Sequence, residues 1–438
     1  MKIAWLTPLS KRTGISRYSL SAVRALSKRI HIDVWTEKKT DDYSIPDMPV
    51  YEIKEDVDTI KKLKTYDAVI YNIGNNLEFH KKIFEVSKAV KGIVILHDKI
   101  MQHFVASYWL EEKKAFPRYL EIMEYYYGQP GKEAAVRSFK GSVPLWETAD
   151  VSDYPLYEPF LYNAIGVVVH SKDAYEMVSH RYALPVQWVN HPFSLNYLEY
   201  GNKPLLNRSA LKLPEGKIIA LSYGHINKTK RIENVLQAIA DSPDIQRSLY
   251  YVIAGTCHPD YLHALKEKVI SCGLDGIVRF TGHIDDHTLH SFIHHADVCI
   301  NLRFPSPESA SWSLVEQFYF KKTVIASKVG FYDEIPSNCL TKISISNERK
   351  ELLSALERLI KDKPLRDRMA EQAHQYALRH FSSDDYAEKM IDFTGKVISS
   401  RINLDFIDNA TDEIIRFSTP SLSERVAVKI ADEISCFI

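Results

Sequence analysis

The chain has 438 residues, enough for two domains with full cores, and its 56 Lys and Arg balance 56 Asp and Glu. A formal charge of zero argues against nucleic acid as a partner, and no apolar run approaches the ~18 residues of a membrane-spanning helix. Five scattered cysteines (Cys257, Cys272, Cys299, Cys339, Cys436) form no Cys-x-x-Cys pair and suit a reduced cytoplasm.

The opening MKIAWLTP has one lysine and too short an apolar run for a signal peptide, so residues 3–7 read as a buried strand. A loop then leads to Gly14 and a helix with Tyr18, Val23 and Leu26 on its inner side. A dinucleotide-binding loop would carry Gly-x-Gly-x-x-Gly here. Gly14 stands alone, and either lets the backbone approach a ligand or merely starts the helix. The same helix carries Arg17, Arg24, Lys28 and Arg29, which suit either weak contact with an anionic membrane face or a solvated surface. Strands at 31–35, 68–71 and 92–96 alternate with helical stretches and continue a first α/β domain. The last ends in His97-Asp98, where the histidine can donate to a ligand hydroxyl or phosphate with Asp98 fixing its tautomer, or the pair simply closes the strand.

Residues 99–162 read as a helical insertion, broken at Gly128-Gln129-Pro130-Gly131 and at Pro144. Its aromatics (among them Phe104, Tyr108, Trp109, Tyr125 and Tyr157) are either core or a stacking surface. A strand at 165–169 ends in His170-Ser171, with Ser171 as cap of the next helix. The first domain closes near 193, after a strand at 186–189 and His191-Pro192. Residues 194–215, with Pro204, Pro214 and little periodicity, read as a linker.

The second domain, 216–382, opens on a strand at 218–223 and the loop Gly224-His225-Ile226-Asn227-Lys228-Thr229-Lys230-Arg231. Three cations at a helix start oppose the helix dipole. A bound diphosphate would resolve that conflict; the alternative is a solvated basic loop. Strands at 250–254 and 278–280 follow. Asp285-Asp286 fits a helix cap better than a metal site, and His283, His287, His290, His294 and His295 read as surface and core residues, so no metal site is expected.

The stretch from 296 to 336 is the most informative. A buried strand (298–302), a loop, a helix carrying Trp312, Val315, Phe318 and Tyr319 on one face, and a second strand (323–326) make a βαβ crossover. Its loop lies where open α/β sheets place ligands, and it carries Glu308, with Glu316 eight residues later in the helix. Backbone N–H groups at that helix start, capped by Ser309 or Ser311, would seat a phosphate, and the two carboxylates would accept hydrogen bonds from hydroxyls. Phosphate held by backbone and hydroxyls held by carboxylate suit a nucleotide-sugar; otherwise both glutamates are ordinary solvated groups. Helices at about 348–361, 364–380 and 383–399 follow, then two amphipathic stretches over 402–438 split at Thr419-Pro420.

NLRFPSPESASWSLVEQFYFKKTVIASKVGFYDEIP resembles the Glu-x7-Glu signature of glycosyltransferase family 4, retaining enzymes of the two-Rossmann GT-B fold. More narrowly it is similar to a bacterial subgroup whose loop reads roughly N-L-R-Y-P-T-x-G-E-T-S. This chain departs in having Pro307 and Lys321 where that family has glycines, and His225 where arginine is commoner. The resemblance extends from residue 1 to about 400. It implies two Rossmann-like α/β domains facing across a cleft, with the helix from 383 crossing back to the first domain. It also implies a retaining, metal-independent hexosyltransferase with no cofactor beyond a nucleotide-diphosphate sugar as co-substrate, GDP-mannose being the donor it leans to. The acceptor would be a glycan or lipid-linked molecule in bacterial surface polysaccharide synthesis, in the cytoplasm or on the inner membrane face. By the same resemblance His97 would lie beside the donor sugar, Lys230 on the leaving diphosphate and Glu308 on the sugar hydroxyls. Gly14, Gly224, His225, Arg231, Ser309, Ala310, Ser311 and the ribose-holding Glu316 would bind the rest of the donor. An epimerase or phosphorylase of the same fold, or a non-catalytic glycan-binding subunit, are the alternatives.

Overall fold

Strands that are apolar on both sides need cover on both faces, and parallel sheets wrapped by helices provide it. The computed structural model describes residues 1–39, 45, 48–141, 143–193 and 203–417, with side chains through residue 400. The first sheet holds β1 (Lys2–Leu6), β2 (His31–Thr36), β3 (Val50–Glu52), β4 (Ala68–Ile73), β5 (Gly92–Leu96), β6 (Ala164–Val169) and β7 (Val186–Trp188), in the order β3-β2-β1-β4-β5-β6-β7. The second holds β8 (Ile218–Tyr223), β9 (Leu249–Ala254), β10 (Val278–Gly282), β11 (Val298–Asn301), β12 (Thr323–Ser327) and β13 (Thr341–Ile343), in the order β10-β9-β8-β11-β12-β13. All these pairings are parallel. Strand order reverses between β1 and β4 and between β8 and β11, so the loops after those strands open at the two ligand-binding crevices of the fold.

Helices α1 (Gly14–Leu26), α2 (Val57–Leu63), α3 (Leu77–Ser87), α4 (Gln102–Ala106), α5 (Phe116–Lys140) and α6 (Lys172–Ser179) belong to the first domain. The second has α7 (Ile232–Ala240), α8 (Pro243–Ser248), α9 (Pro259–Ser271), α10 (Asp286–His295), α11 (Trp312–Tyr319), α12 (Gly330–Glu334), α13 (Glu348–Lys361) and α14 (Lys363–His380). Helix α15 (Ser383–Phe417) returns to the first domain, where Tyr386, Ala387, Met390, Phe393 and Val397 join the core made by Trp5, Tyr18 and Val23. The return is pinned by a backbone hydrogen bond from Phe193 to Phe381 of 3.0 Å.

Several expectations change. The insertion's Phe104, Tyr108, Tyr119, Tyr157 and Phe160 are buried core, while Tyr125 and Tyr162 face solvent. Helix α5 bends where expected, because Gly128 takes φ +65° inside it. Leu211 and Leu213, expected in a linker, pack into the second domain's core; residues 194–202 lie outside the described residues, as do 418–438 with Thr419-Pro420. On the basic face of α1, Arg17 pairs with Asp286 across the cleft, and Lys28 and Arg29 make exposed pairs with Asp384 and Glu388 of α15.

Lys321 follows the end of α11 in the left-handed region, φ +53°, where a side chain costs about 1–2 kcal/mol and glycine does not. Its exposed ion pair with Glu371, at 3.0 Å, returns little of that. Lys321→Gly is expected to stabilise the protein by about 1 kcal/mol, read as a higher midpoint in denaturant at unchanged slope. A lower midpoint would show that the Glu371 contact outweighs the backbone.

Candidate active site

The loop after β11 does not stay in its own domain. Ser309 N–H donates to His97 O (2.8 Å), and Lys99 and Ile100 N–H donate to Pro307 O (2.8 and 3.3 Å). Asp98 and Glu308 thus pair as an antiparallel bridge, and Ser309 Oγ donates to Leu96 O at 3.1 Å. This short ladder joins the carboxyl end of β5 to the loop of the second domain. Only the carbonyl of residue 307 takes part, so the proline found there removes no bond of the ladder.

Glu308 sits on that ladder, held by the Tyr332 hydroxyl and by Arg303, whose Nε lies 3.5 Å away. Arg303 lies beneath, its side chain 14 % exposed, with Nη1 3.3 Å from Thr229 Oγ1, while Phe304 N–H donates to Thr229 O at 2.8 Å. The loop is therefore fastened to the turn that follows β8. There Lys230 is 7 % exposed and donates from Nζ to Tyr223 O at 2.7 Å. Burial, then the charge of Arg303, pushes its amine down to about 7, with Glu308 pulling the other way. Gly224 (φ +97°) lies over Lys230, and a Cβ on Gly255 would come within 1.8 Å of Gly224 O, so the two turns approach as only glycine allows. His225 is exposed, with Nδ1 3.1 Å from Thr256 Oγ1. Burial, then Lys230 and Arg303, lowers its imidazole.

Arg231 has its partner elsewhere. Its guanidinium grips Glu348 at the start of α13 with contacts of 2.7, 3.0 and 3.2 Å, so it ties α7 to α13. Arg303 is the second cation beside Lys230. Ser309 is also corrected: both its N–H and hydroxyl cross to β5, and Ser311 alone caps α11, accepting from Leu314 N–H at 3.4 Å. Ala310 is buried between them. On the opposite side Gly14 starts α1, capped by Thr13, with open space over its Cα.

Glu316 is fully buried, accepting from Tyr223 Oη (2.8 Å) and His290 Nε2 (3.0 Å). Burial alone would raise its carboxyl. The hydrogen bond and charge of His290, then Arg17 and Tyr223, bring it down to about 2. It is a preformed carboxylate, with Arg17 from the first domain nearby and held on Asp286. Asp285 caps α10 through Thr288 N–H, as expected. His290 was read as a bland core residue, and its role needed a contact 26 residues away.

His97 is buried, and Asn72 holds its ring: Nε2 lies 3.0 Å from Asn72 Oδ1, whose own amide donates to Leu6 O at 2.9 Å. Asp98 does not fix the tautomer. It accepts from Asn75 N–H at 2.7 Å and is raised to about 6, by burial first and then by Glu308, against that bond. The structure thus gathers His97, Asp98, Lys230, Arg303 and Glu308 at one seam, with Gly224 and His225 on the turn beside Lys230 and Glu316 at the far end of the same unit.

Residues 206–376 match the profile of a family described as glycosyl transferases group 1. None of the curated proteins compared with the chain matches it. Among solved structures, sucrose-phosphate synthase from Thermosynechococcus elongatus has a TM-score of 0.62 at 16 % identity, covering 91 % of this chain and all of that one. HepE from Anabaena in complex with UDP-glucose has 0.61 at 15 % identity, covering 91 % and 100 %. WaaG, a glycosyltransferase involved in lipopolysaccharide biosynthesis, has 0.60 at 16 % identity, covering 89 % and 99 %. The fold is the two-domain GT-B arrangement.

Because the Asp98 carboxyl stands near 6 in the fold against an ordinary 3.8, the unfolded chain ionises first as pH rises. Stability then falls between about pH 4 and 6 and levels off above. Asp98→Asn is expected to gain about 1–3 kcal/mol at pH 7.5, less what the Asn75 bond contributed, and nothing at pH 4. Denaturant melts at the two pH values read this directly; an equal effect at both would place the carboxyl in contact with water.

Proposed function

We propose that the chain is a retaining glycosyltransferase that moves a sugar from a nucleotide-diphosphate sugar to a glycan or lipid-linked acceptor. The observation that carries this reading is a pair of cations, buried Lys230 and largely buried Arg303, beside the loop carboxylate Glu308. Two like charges under a crevice are unfavourable without an anion, and a diphosphate is the anion of matching charge. The capped start of α11 adds N–H groups to the same seat, and the start of α1 at Gly14 faces it from the first domain.

In this reading Lys230, Arg303 and the α11 start stabilise the leaving diphosphate, which is the main catalytic term. His225 assists at the rim. Glu308, oriented by Tyr332 and Arg303, accepts hydrogen bonds from the transferred sugar. His97 closes the sugar end and holds the loop through Ser309. Glu316 receives the ribose hydroxyls, which take the place of Tyr223 once Arg17 withdraws. The acceptor attacks from the face the diphosphate leaves, and a phosphate oxygen takes its proton. Side-chain cations answer the diphosphate's charge, so the transfer itself requires no metal. The loop resemblance points to GDP-mannose, while a structure of the same fold holds UDP-glucose. The relation to a lipopolysaccharide enzyme supports a role in bacterial surface polysaccharide synthesis, in the cytoplasm. Incubation with labelled UDP-, GDP- and dTDP-sugars tests the reading. Release of nucleoside diphosphate and an acceptor product of retained anomeric configuration are expected, and inversion or epimerised donor would refute it.

Two kinetic outcomes separate the residues. Glu308→Gln should lower kcat by ~10²-fold, about 2.7 kcal/mol on the barrier, whereas Glu316→Gln should mainly raise donor KM. A shared modest KM defect would reduce Glu308 to a binding group.

The second outcome is pH-dependent. Lys230 titrates near 7 in the free protein, and a diphosphate favours its protonated form. Donor affinity is therefore full below pH 7 and should weaken by up to about tenfold per pH unit above it, until the pKa of the bound state is reached. Calorimetric titration from pH 6 to 8.5 should show this slope in the wild type and lose it in Lys230→Met. A slope that survives in Lys230→Met would assign the titration elsewhere.

A further inference from the structure

Three histidines far apart in sequence meet in the first domain. His97 follows β5, His170 follows β6, and His191 lies just beyond β7. These are adjacent parallel strands, so their carboxyl ends stand about 5 Å apart and deliver three imidazoles to one spot. One ring nitrogen from each lies within 4.8 Å of the others, and all three residues are buried. Their ring centroids are 4.5 Å apart for His170 and His191, and 5.2 Å for His97 and His170. Tyr18 packs against all three rings.

The surrounding bonds fix the lone-pair nitrogen of two of the three rings. His170 Nδ1 donates to Val189 O at 2.7 Å, which leaves Nε2 as a lone pair, and Nε2 is buried without a hydrogen-bond partner. His97 Nε2 donates to Asn72 Oδ1, leaving Nδ1. His191 Nδ1 is likewise buried without a partner. Imidazoles whose second nitrogen is pinned by a carbonyl oxygen are the usual second-shell arrangement of histidine metal ligands. A single water donates only two hydrogen bonds, whereas a cation can meet one nitrogen from each of three rings.

We propose that His97, His170 and His191 form a binding site for one divalent transition metal ion of zinc type, held by three imidazole nitrogens. In a tetrahedral zinc site with bonds of about 2.0–2.1 Å the ligand nitrogens stand about 3.4 Å apart, so each ring moves inward by roughly 1 Å. The fourth position takes a water, as in other three-histidine sites. No carboxylate or thiolate belongs to the cluster, which disfavours Mg²⁺ and Ca²⁺. Trp312 of the second domain packs beside His191, so the ion enters when the interdomain face opens. The site lies under the sugar end of the cleft and takes no part in holding the diphosphate, and it stands whether or not the transferase reading does.

The test uses the full chain with any purification tag removed, exposed to Zn²⁺ or Co²⁺ and then desalted. Elemental analysis should find about one ion per chain, and the cobalt form should show the intense visible bands of four-coordinate nitrogen ligation. His170→Ala and His191→Ala should each lower the retained metal at least tenfold while the circular dichroism spectrum is unchanged. Should either variant misfold, the wild-type cobalt spectrum decides alone. Failure of the wild type to retain either ion, retention undiminished in well-folded variants, or six-coordinate cobalt bands would each overturn the proposal.

Discussion

The site depends on a few backbone hydrogen bonds between residues 97–100 of the first domain and 307–309 of the second. Each domain could fold its own sheet without them, but Glu308, still held by Tyr332 and Arg303, would lose its fixed place against β5. The ladder sets the loop against β5, and the loop is in turn fastened to the turn after β8 through Thr229. Register is decided by peptide groups, which explains why Pro307 is compatible with it: the ladder asks residue 307 for a carbonyl only. It also places Asp98 beside Glu308, a pairing of carboxylates that raises Asp98 and has no evident value for stability alone.

Around that seam two cations lie close together. Lys230 is buried and Arg303 largely so, and Glu308 and, for Arg303, Asp98 are the carboxylates that offset them. Arg231, one residue from Lys230, has its own buried carboxylate in Glu348 and so belongs to the scaffold. A paired cation stabilises the fold, whereas an under-compensated one stores binding energy for a ligand. Glu316 follows the same logic in reverse: His290 and Tyr223 hold it ionised in the interior, ready for hydroxyl donors.

Most of the architecture was legible because buried parallel strands are continuous apolar runs, as before His97, His170 and Gly224. The short edge strands β3 and β13 were missed, since three residues carry too little pattern. In the candidate site, Glu308, Glu316 and Lys230 are the positions that a motif singles out by spacing. Contacts were not legible where a partner lay far along the chain. The partner of Arg231, Glu348, is 117 positions away, and the carboxylates that meet the basic face of α1 come from α10 and α15. Arg303 stood in the quoted motif, but nothing local says that its guanidinium turns toward Lys230. The gathering of three histidines needs the order β5-β6-β7, which no spacing along the chain reveals.

The account's central claim is that both domains close on one nucleotide-diphosphate site. Hydrogen–deuterium exchange of the full chain with and without saturating UDP, GDP or dTDP tests it most directly. One of these nucleotides should slow exchange together at residues 97–100, 224–231 and 307–316, because phosphate binding stabilises the ladder and both turns at once. Unchanged exchange in all three segments with every nucleotide, or protection confined to a region away from the seam, would contradict it.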